Sequence, residues 1–259
     1  MRRLNRKQFL KVIKGEDLEF RINSFSFKLH ESVVISDVHL PYDLTLESCK
    51  LENLTFINCR FSGDLEIQSS KLESLKFESC QLHSLAINKS DISSIIVKNS
   101  TELNSLRIGD NDINKIEITD NPIYELIHLG CGNNIKECNL WNNGDPSKNS
   151  FSTKLFLCPE RFDSIQVDQM TIDLLHIGTF GEYAHFSLAN LKVDIILIEG
   201  CSPDLSKVSF KNIEPIDKSG GAIHLVNTAY DQDLFGDAFK AYKDTKIHHD
   251  LAEILSLLA

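Results

Sequence analysis

The sequence predicts a mainly β protein: a parallel β-helix, or β-solenoid, of about 20 residues per coil, with a short capping helix at its N-terminal end and a helix at its C-terminal end. Three observations predict it. An apolar residue returns at every fifth position through residues 44–129. The residue two before each of these centres alternates between large and small, so the full repeat is ten residues. Single extra residues enter near Gly63 and near Ser100–Thr101 without disturbing the register that follows. A period of five nested in ten matches neither a helix (3.6) nor one long strand (2.0).

Residues 1–32 precede the repeat and form the expected N-terminal cap. Phe9, Leu10 and Ile13 recur at helical spacing within residues 6–14, and Gly15 is a stop signal. A helix there covers an open solenoid end that would otherwise pair edge to edge.

The solenoid is expected over residues 33–217. Its frame reads Leu51-x-x-Leu54-x-Phe56-x-x-Cys59-x-Phe61, then Leu72-x-x-Leu75-x-Phe77-x-x-Cys80-x-Leu82. It returns as Leu82-x-x-Leu85-x-Ile87-x-x-Ser90-x-Ile92, as Leu103 to Ile113, and as Ile113 to Ile123. Each Leu-x-Phe/Ile triplet points two side chains inward, as a short strand must. The Cys, Ser or Asn that follows turns a corner too tight for a large residue. Ser and Asn can also bond backbone groups that a bend leaves open. Four sides then close a coil of about 20 residues. Inward residues stack into ladders about 4.8 Å apart, Phe56 over Phe77 for example. Outward residues stack as well: Lys50, Lys71, Asp91 and Asp112 in one column, and Thr55, Lys76, Ile96 and Glu117 in another.

These residues resemble the pentapeptide-repeat proteins, whose right-handed quadrilateral β-helix centres each five on an apolar residue. Asn58-Cys-Arg-Phe-Ser62, Ser79-Cys-Gln-Leu-His83 and Ser187-Leu-Ala-Asn-Leu191 look like pentapeptides of that family. The chain departs from the family in placing Leu or Ile, where the family favours Ala, Cys or Ser, in every second pentapeptide. That implies a wider or flatter coil. The rival frame is the leucine-rich repeat, which uses a similar core once per 20 or more residues. Here the core returns every ten and leaves no room for a convex segment.

Residues 130–153 are expected to interrupt the solenoid as a loop, because Gly130-Cys-Gly-Asn-Asn and Asn142-Asn-Gly-Asp-Pro-Ser are turn signals. The frame resumes at Phe162-x-x-Ile165-x-Val167-x-x-Met170-x-Ile172, and further strands are expected at residues 193–198 and 208–210. Residues 218–259 are expected to form a linker, at Lys218-Ser-Gly-Gly221, and a C-terminal helical segment. Asp233–Ala259 reads as helix, whole or broken near Asp244–Lys246. Leu251, Ile254, Leu255 and Leu258 share one apolar face of it and are the expected interaction residues.

The net charge is −10, with the first 32 residues carrying eight Lys/Arg against four Asp/Glu, so the body of the chain is the acidic part. That balance argues against direct nucleic-acid binding, which uses a basic stripe. No apolar run approaches the roughly 18 residues of a membrane span. The basic start lacks an apolar stretch behind it, and the seven cysteines are dispersed rather than dense. A cytoplasmic protein with reduced thiols is the expectation.

Candidate chemistry is sparse, and no cofactor, metal or catalytic residue is expected. His248 and His249 are adjacent and diverge on a helix. Cys131 and Cys138 stand alone at a spacing unlike a zinc knuckle. His176, Glu182 and His185 cluster around Gly178-Thr-Phe-Gly181 and read as a surface loop. Gly130-x-Gly132 lacks the third glycine of a dinucleotide loop. The expected function is a non-enzymatic scaffold or protein-interaction module. It would join a protein partner, or a second copy of itself, through the C-terminal helix. Two alternatives are kept. The resemblance implies a DNA-mimicking gyrase-binding protein, as in some members of that family. A carbohydrate-active β-helix enzyme is the other.

Overall fold

The computed structural model describes residues 7, 10–11, 24–25, 32–101, 103–143, 153–178, 182–199, 208–216, 221–226, 242 and 244–248. Their strands form a parallel β-solenoid of about seven turns, with about 21 residues per turn. Each ten-residue unit folds as one strand and a two-residue corner. In Lys50–Ile57, Leu51, Leu54 and Phe56 point inward, and Glu52 and Asn53 both face out. Two consecutive outward residues mark a shallow bend, so the predicted five-residue sides join pairwise and the coil has two long faces.

One face stacks Lys50–Ile57, Lys71–Glu78, Asp91–Lys98, Asp112–Thr119, Asn134–Trp141 and Arg161–Asp168, all parallel. The other stacks Arg60–Gln68, Gln81–Asn88, Leu103–Gly109, Ile123–Leu129, Lys154–Leu157 and Thr171–Ile177. Glu182–Glu199 serves both, pairing first with Arg161–Asp168 and then with Thr171–Ile177. Partners lie 21 residues apart at Lys50 and Lys71, 20 at Leu65 and Leu85, and 22 at Asp112 and Asn134. The register therefore tolerates single-residue insertions. One is the bulge between Phe61 and Asp64. Gly63 sits inside it, and a Cβ there would meet the Asp43 backbone N at 2.6 Å. Another lies between Thr101 and Ser105, where the offset to Gln81 and Ser84 grows from 20 to 21.

The interior is one apolar column in which like stacks on like. Phe56 and Phe77 lie ring on ring, with centroids 5.2 Å apart and planes within 6°. Phe61 meets Phe56 edge-on at 5.2 Å and 77°. Offset and edge-on arrangements suit the ring quadrupole.

The sharp corners carry a backbone signature. Ser48, Asn58, Ser69, Ser79, Lys89, Asn99, Asp110 and Asp120 all have φ between 50° and 58°. The left-handed residue thus precedes the small residue that sequence reasoning placed at the turn. The small residue lies inside the corner, and its side chain repairs the backbone bonding that the turn interrupts. Along one corner the Cys49 amide donates to Ser70 Oγ at 3.0 Å, Ser70 to Ser90 Oγ at 3.1 Å, and Ser90 to Asn111 Oδ1 at 2.9 Å. Asn111 continues the series to Asn133 Oδ1 at 3.1 Å. Along the opposite corner the Ser100 amide donates to Asn121 Oδ1 at 2.9 Å, and Asn121 Nδ2 donates to Asn143 Oδ1 at 3.0 Å. Below them, the Cys59 and Cys80 thiols donate to backbone carbonyls of their own and the preceding turn. Hydrogen bonding to Cys59, then burial, pushes the Cys80 thiol well up.

Several expectations are corrected. Residues 130–143 continue the coil: Asn134–Trp141 is a regular strand, Gly132 supplies the corner at φ 74°, and Asn133 and Asn143 are ladder rungs. Only residues 144–152 of the expected loop lie outside the described residues. The sheet also outruns the expected 33–217 boundaries. Ser24–Phe25 pairs with Thr45–Leu46 at the start, and Ala222–Val226 adds a strand at the end. Asp244–His248, expected within the C-terminal helix, is a strand parallel to Ala222–Val226. An exposed sheet edge one turn away outweighs helical propensity at Thr245 and Ile247, both β-branched. Of the expected capping helix only residues 7, 10 and 11 are described, and there Leu10 packs against the core. Of the rest of the expected C-terminal helix only Tyr242 is described: it is buried and its hydroxyl donates to the Val193 carbonyl at 2.6 Å, and the other residues lie outside the described ones.

Candidate functional site

A solenoid sets its outward side chains in columns one turn apart, so a site arises where a column or two neighbouring columns gather chemistry. The two columns expected from sequence both form. Lys50, Lys71, Asp91 and Asp112 stack, followed by Asn134 and Arg161. Thr55, Lys76, Ile96 and Glu117 stack, followed by Asn139 and Gln166. Several of their charges are paired locally. Lys71 reaches Asp91 at 2.6 Å and Lys76 reaches Glu78 at 2.6 Å. Lys98 and Lys115 converge on Glu117, and hydrogen bonding to Lys98 holds that carboxyl below its ordinary value.

The sequence-derived candidates do not assemble. Leu251, Ile254, Leu255 and Leu258 lie outside the described residues. His248 belongs to the last strand, not to a helix, and His249 is outside the described residues. Cys138 lies inside the coil, where burial pushes its thiol up, while Cys131 is exposed outside. The two cannot share an ion. His176 is on one face, but Glu182 and His185 pair with Arg161 and Ser164 on the other. Among the described residues no group of three His, Cys, Asp or Glu converges as a metal site would.

The second face gathers a column that the sequence reading missed. Glu66, Ala86, Arg107 and His128 stack in order, then Phe156, His176, Leu197 and His224. Stacking positions about 20 apart finds its first four members. The 28-residue step from His128 to Phe156 hides the rest. His128 meets Phe156 edge-on at 5.8 Å, and Phe156 meets His176 edge-on at 5.3 Å. His176 Nε2 lies 3.1 Å from Glu199 Oε2. Burial lowers the His176 imidazole against the raising effect of that carboxylate. Burial first, and then the Arg107 charge, lowers His128. Beyond them Leu197 and Val226 point away from the coil interior yet are buried, forming a second apolar cluster with Leu174. The nearby Cys158 thiol is pushed up to about 11 by burial, so it stays protonated near neutral pH and is a poor nucleophile.

Concavities lie on both faces. One of about 400 Å³ sits beside Asp112, Lys136 and Asp163, and one of about 330 Å³ beside Lys50, Lys71 and Glu73. The largest of the three, about 540 Å³, opens on the second face between Glu66 and His128.

No family model matches this chain, and neither a curated protein nor a solved structure matches it. Among the described residues no helix is long and apolar enough to cross a membrane. The fold thus defines the class, a parallel β-solenoid.

Proposed function

We propose that this protein is a non-enzymatic scaffold or protein-interaction module of the pentapeptide-repeat-like, right-handed β-helix type. The observation that carries the reading is the pair of buried corner ladders. They tie each turn to the next by side-chain-to-backbone bonds in addition to the strand pairing. A coil bonded twice over is stiff, and it holds outward side chains at a fixed spacing for a partner to read. The outward columns support a binding surface more than a DNA mimic, because Lys50 and Lys71 share a column with Asp91 and Asp112.

The partner contact is assigned to the apolar set Leu251, Ile254, Leu255 and Leu258. Light scattering of the full chain tests it against Leu251→Asp/Leu255→Asp. The reading expects particles heavier than the 29.3 kDa chain, reduced to single chains by the substitutions. Single chains at every concentration, for both proteins, would remove self-association. A heavier particle unaffected by the substitutions would remove the assigned face.

A further inference from the structure

The concavity of about 540 Å³ on the second face has a chemical polarity along the coil axis. At one end Arg107 and His128 occupy consecutive turns. Arg107 is exposed and makes no ion pair or side-chain hydrogen bond among the described residues. His128 is half-buried, and its contact there is the ring of Phe156. Two turns back stands Glu66, separated from Arg107 by Ala86 alone. The Glu66 carboxylate likewise makes no ion pair among the described residues. The floor is low because the column shrinks to alanine at Ala86, and because the neighbouring column holds Gly109 and Gly130. Gly130 has no Cβ to meet His128 Nε2, which would lie 3.3 Å from one, so the imidazole can lie across the rung. The charged pairs elsewhere on the coil neutralise each other, as Lys71 and Asp91 do. Here Arg107 and the Glu66 carboxylate are held apart by a rigid spacer of two turns, about 10 Å, and His128 stands one turn beyond Arg107.

We propose that this concavity binds a small zwitterion, its carboxylate held by Arg107 and His128 and its ammonium held by Glu66. Arg107 presents a planar fork that suits a carboxylate, and the adjacent imidazole adds a second donor. The Arg107–Glu66 spacing selects the length: the two charges of the ligand must be roughly 10 Å apart, as in an extended eight-carbon ω-amino acid or a tripeptide with free ends, with His128 reaching the carboxylate from the turn beyond. Bound carboxylate also offsets the repulsion between Arg107 and protonated His128, so the ligand raises the His128 pKa.

The test is an NMR titration of the full chain, following the His128 ring and the Arg107 side chain. The probes are 8-aminooctanoate, octanoate as the match lacking the ammonium, and triglycine. The proposal expects saturable shifts at both residues, with 8-aminooctanoate binding about five-fold more tightly than octanoate. Glu66→Gln should bring the two within about two-fold, and Arg107→Gln should abolish both. Triglycine binding as well as 8-aminooctanoate assigns the natural ligand to peptide ends; binding more weakly assigns it to free ω-amino acids. Absence of saturable shifts with every probe would overturn the proposal, as would equal affinity for octanoate and 8-aminooctanoate. Thermal melting of the two variants, whose changed side chains lie outside the core, confirms that the coil is intact. A rise in the His128 pKa with 8-aminooctanoate gives a second readout, and an unchanged pKa counts against the site.

Discussion

The side-chain oxygen of Asn121 accepts the backbone N–H of Ser100, one turn away, at 2.9 Å inside the coil. Its Nδ2 group donates at the same time to the carbonyls of Val97 and Thr119, at 3.0 and 2.9 Å. One side chain thus bonds three backbone groups at the corner, where the Thr119 carbonyl also accepts the Asn99 N–H at 3.2 Å. Asn121→Ala takes the acceptor from the buried Ser100 N–H and removes the two donated bonds, and should cost about 3 kcal/mol, measured by urea unfolding. Asn121→Leu should cost at least as much, because added apolar volume does not restore the lost bonds.

Ser100 makes the opposite case on the same ladder. Its Oγ is buried and has no hydrogen-bond partner among the described residues. Ser100→Ala removes an unsatisfied hydroxyl from a site already built for a small residue. It should leave stability unchanged or raise it by about 1 kcal/mol in the same assay.

The phenylalanine stack concentrates packing in two adjacent turns. Phe77 is fully buried and touches Phe56 face to face and Phe61 edge-on. Phe77→Ala should cost about 4 kcal/mol, while Phe77→Leu, which keeps most of the volume, should cost less than half of that. Denaturant midpoints of the two variants check the ratio.

Lys89 holds φ at 50° in a corner where Asn, Asp or Gly would sit more easily. Lys89→Gly relieves the clash of its Cβ and should raise stability by about 0.5 kcal/mol after the entropy of the freed chain is deducted. Lys89→Ile adds β-branching in the same conformation and should lower stability by about 1 kcal/mol or more.

Acid should loosen the second face. His128 and His176 both titrate below the ordinary value of 6.5 in the folded chain, chiefly through burial. The unfolded chain therefore takes up protons first as pH falls. Their contribution is fully present above pH 6.5 and is lost as pH drops through 6.5 towards their folded values. Urea midpoints from pH 7.5 down to 5 should show that loss. His128→Gln/His176→Gln should flatten it; an unchanged slope would show that other groups carry it.

The repeat was legible where chemistry is periodic. Leu51, Leu54 and Phe56 announce an inward strand, and Cys59 and Cys80 announce a corner, because size alone decides both positions. Asn133 and Asn143 were not legible as rungs. They sit among Gly130, Gly132 and Gly144, which carry turn signals, and 22 residues rather than 20 or 21 separate Asn121 from Asn143. The bulges were legible because a lost register shows in the apolar positions on both sides. The strand Asp244–His248 was not, since only the waiting edge of Ala222–Val226 selects it over helix. The column from Glu66 to His128 was within reach of the stacking rule, but His176 was hidden by the inserted residues 144–152. Sequence proximity grouped His176 with Glu182 and His185, yet a solenoid separates neighbours in sequence and joins residues a turn apart.

The most direct measurement of that central claim is a set of spin-label distances along one outward column. With Cys131, Cys158 and Cys201 replaced by serine, labels are placed at Thr55 and, in turn, at Glu117, Asn139 and Gln166. These positions lie three, four and five turns from Thr55. The account predicts sharp distances that grow by about 5 Å at each step, although the last step spans 27 residues and the one before it 22. Steps that scale with sequence separation, or broad distributions, would contradict a continuous coil.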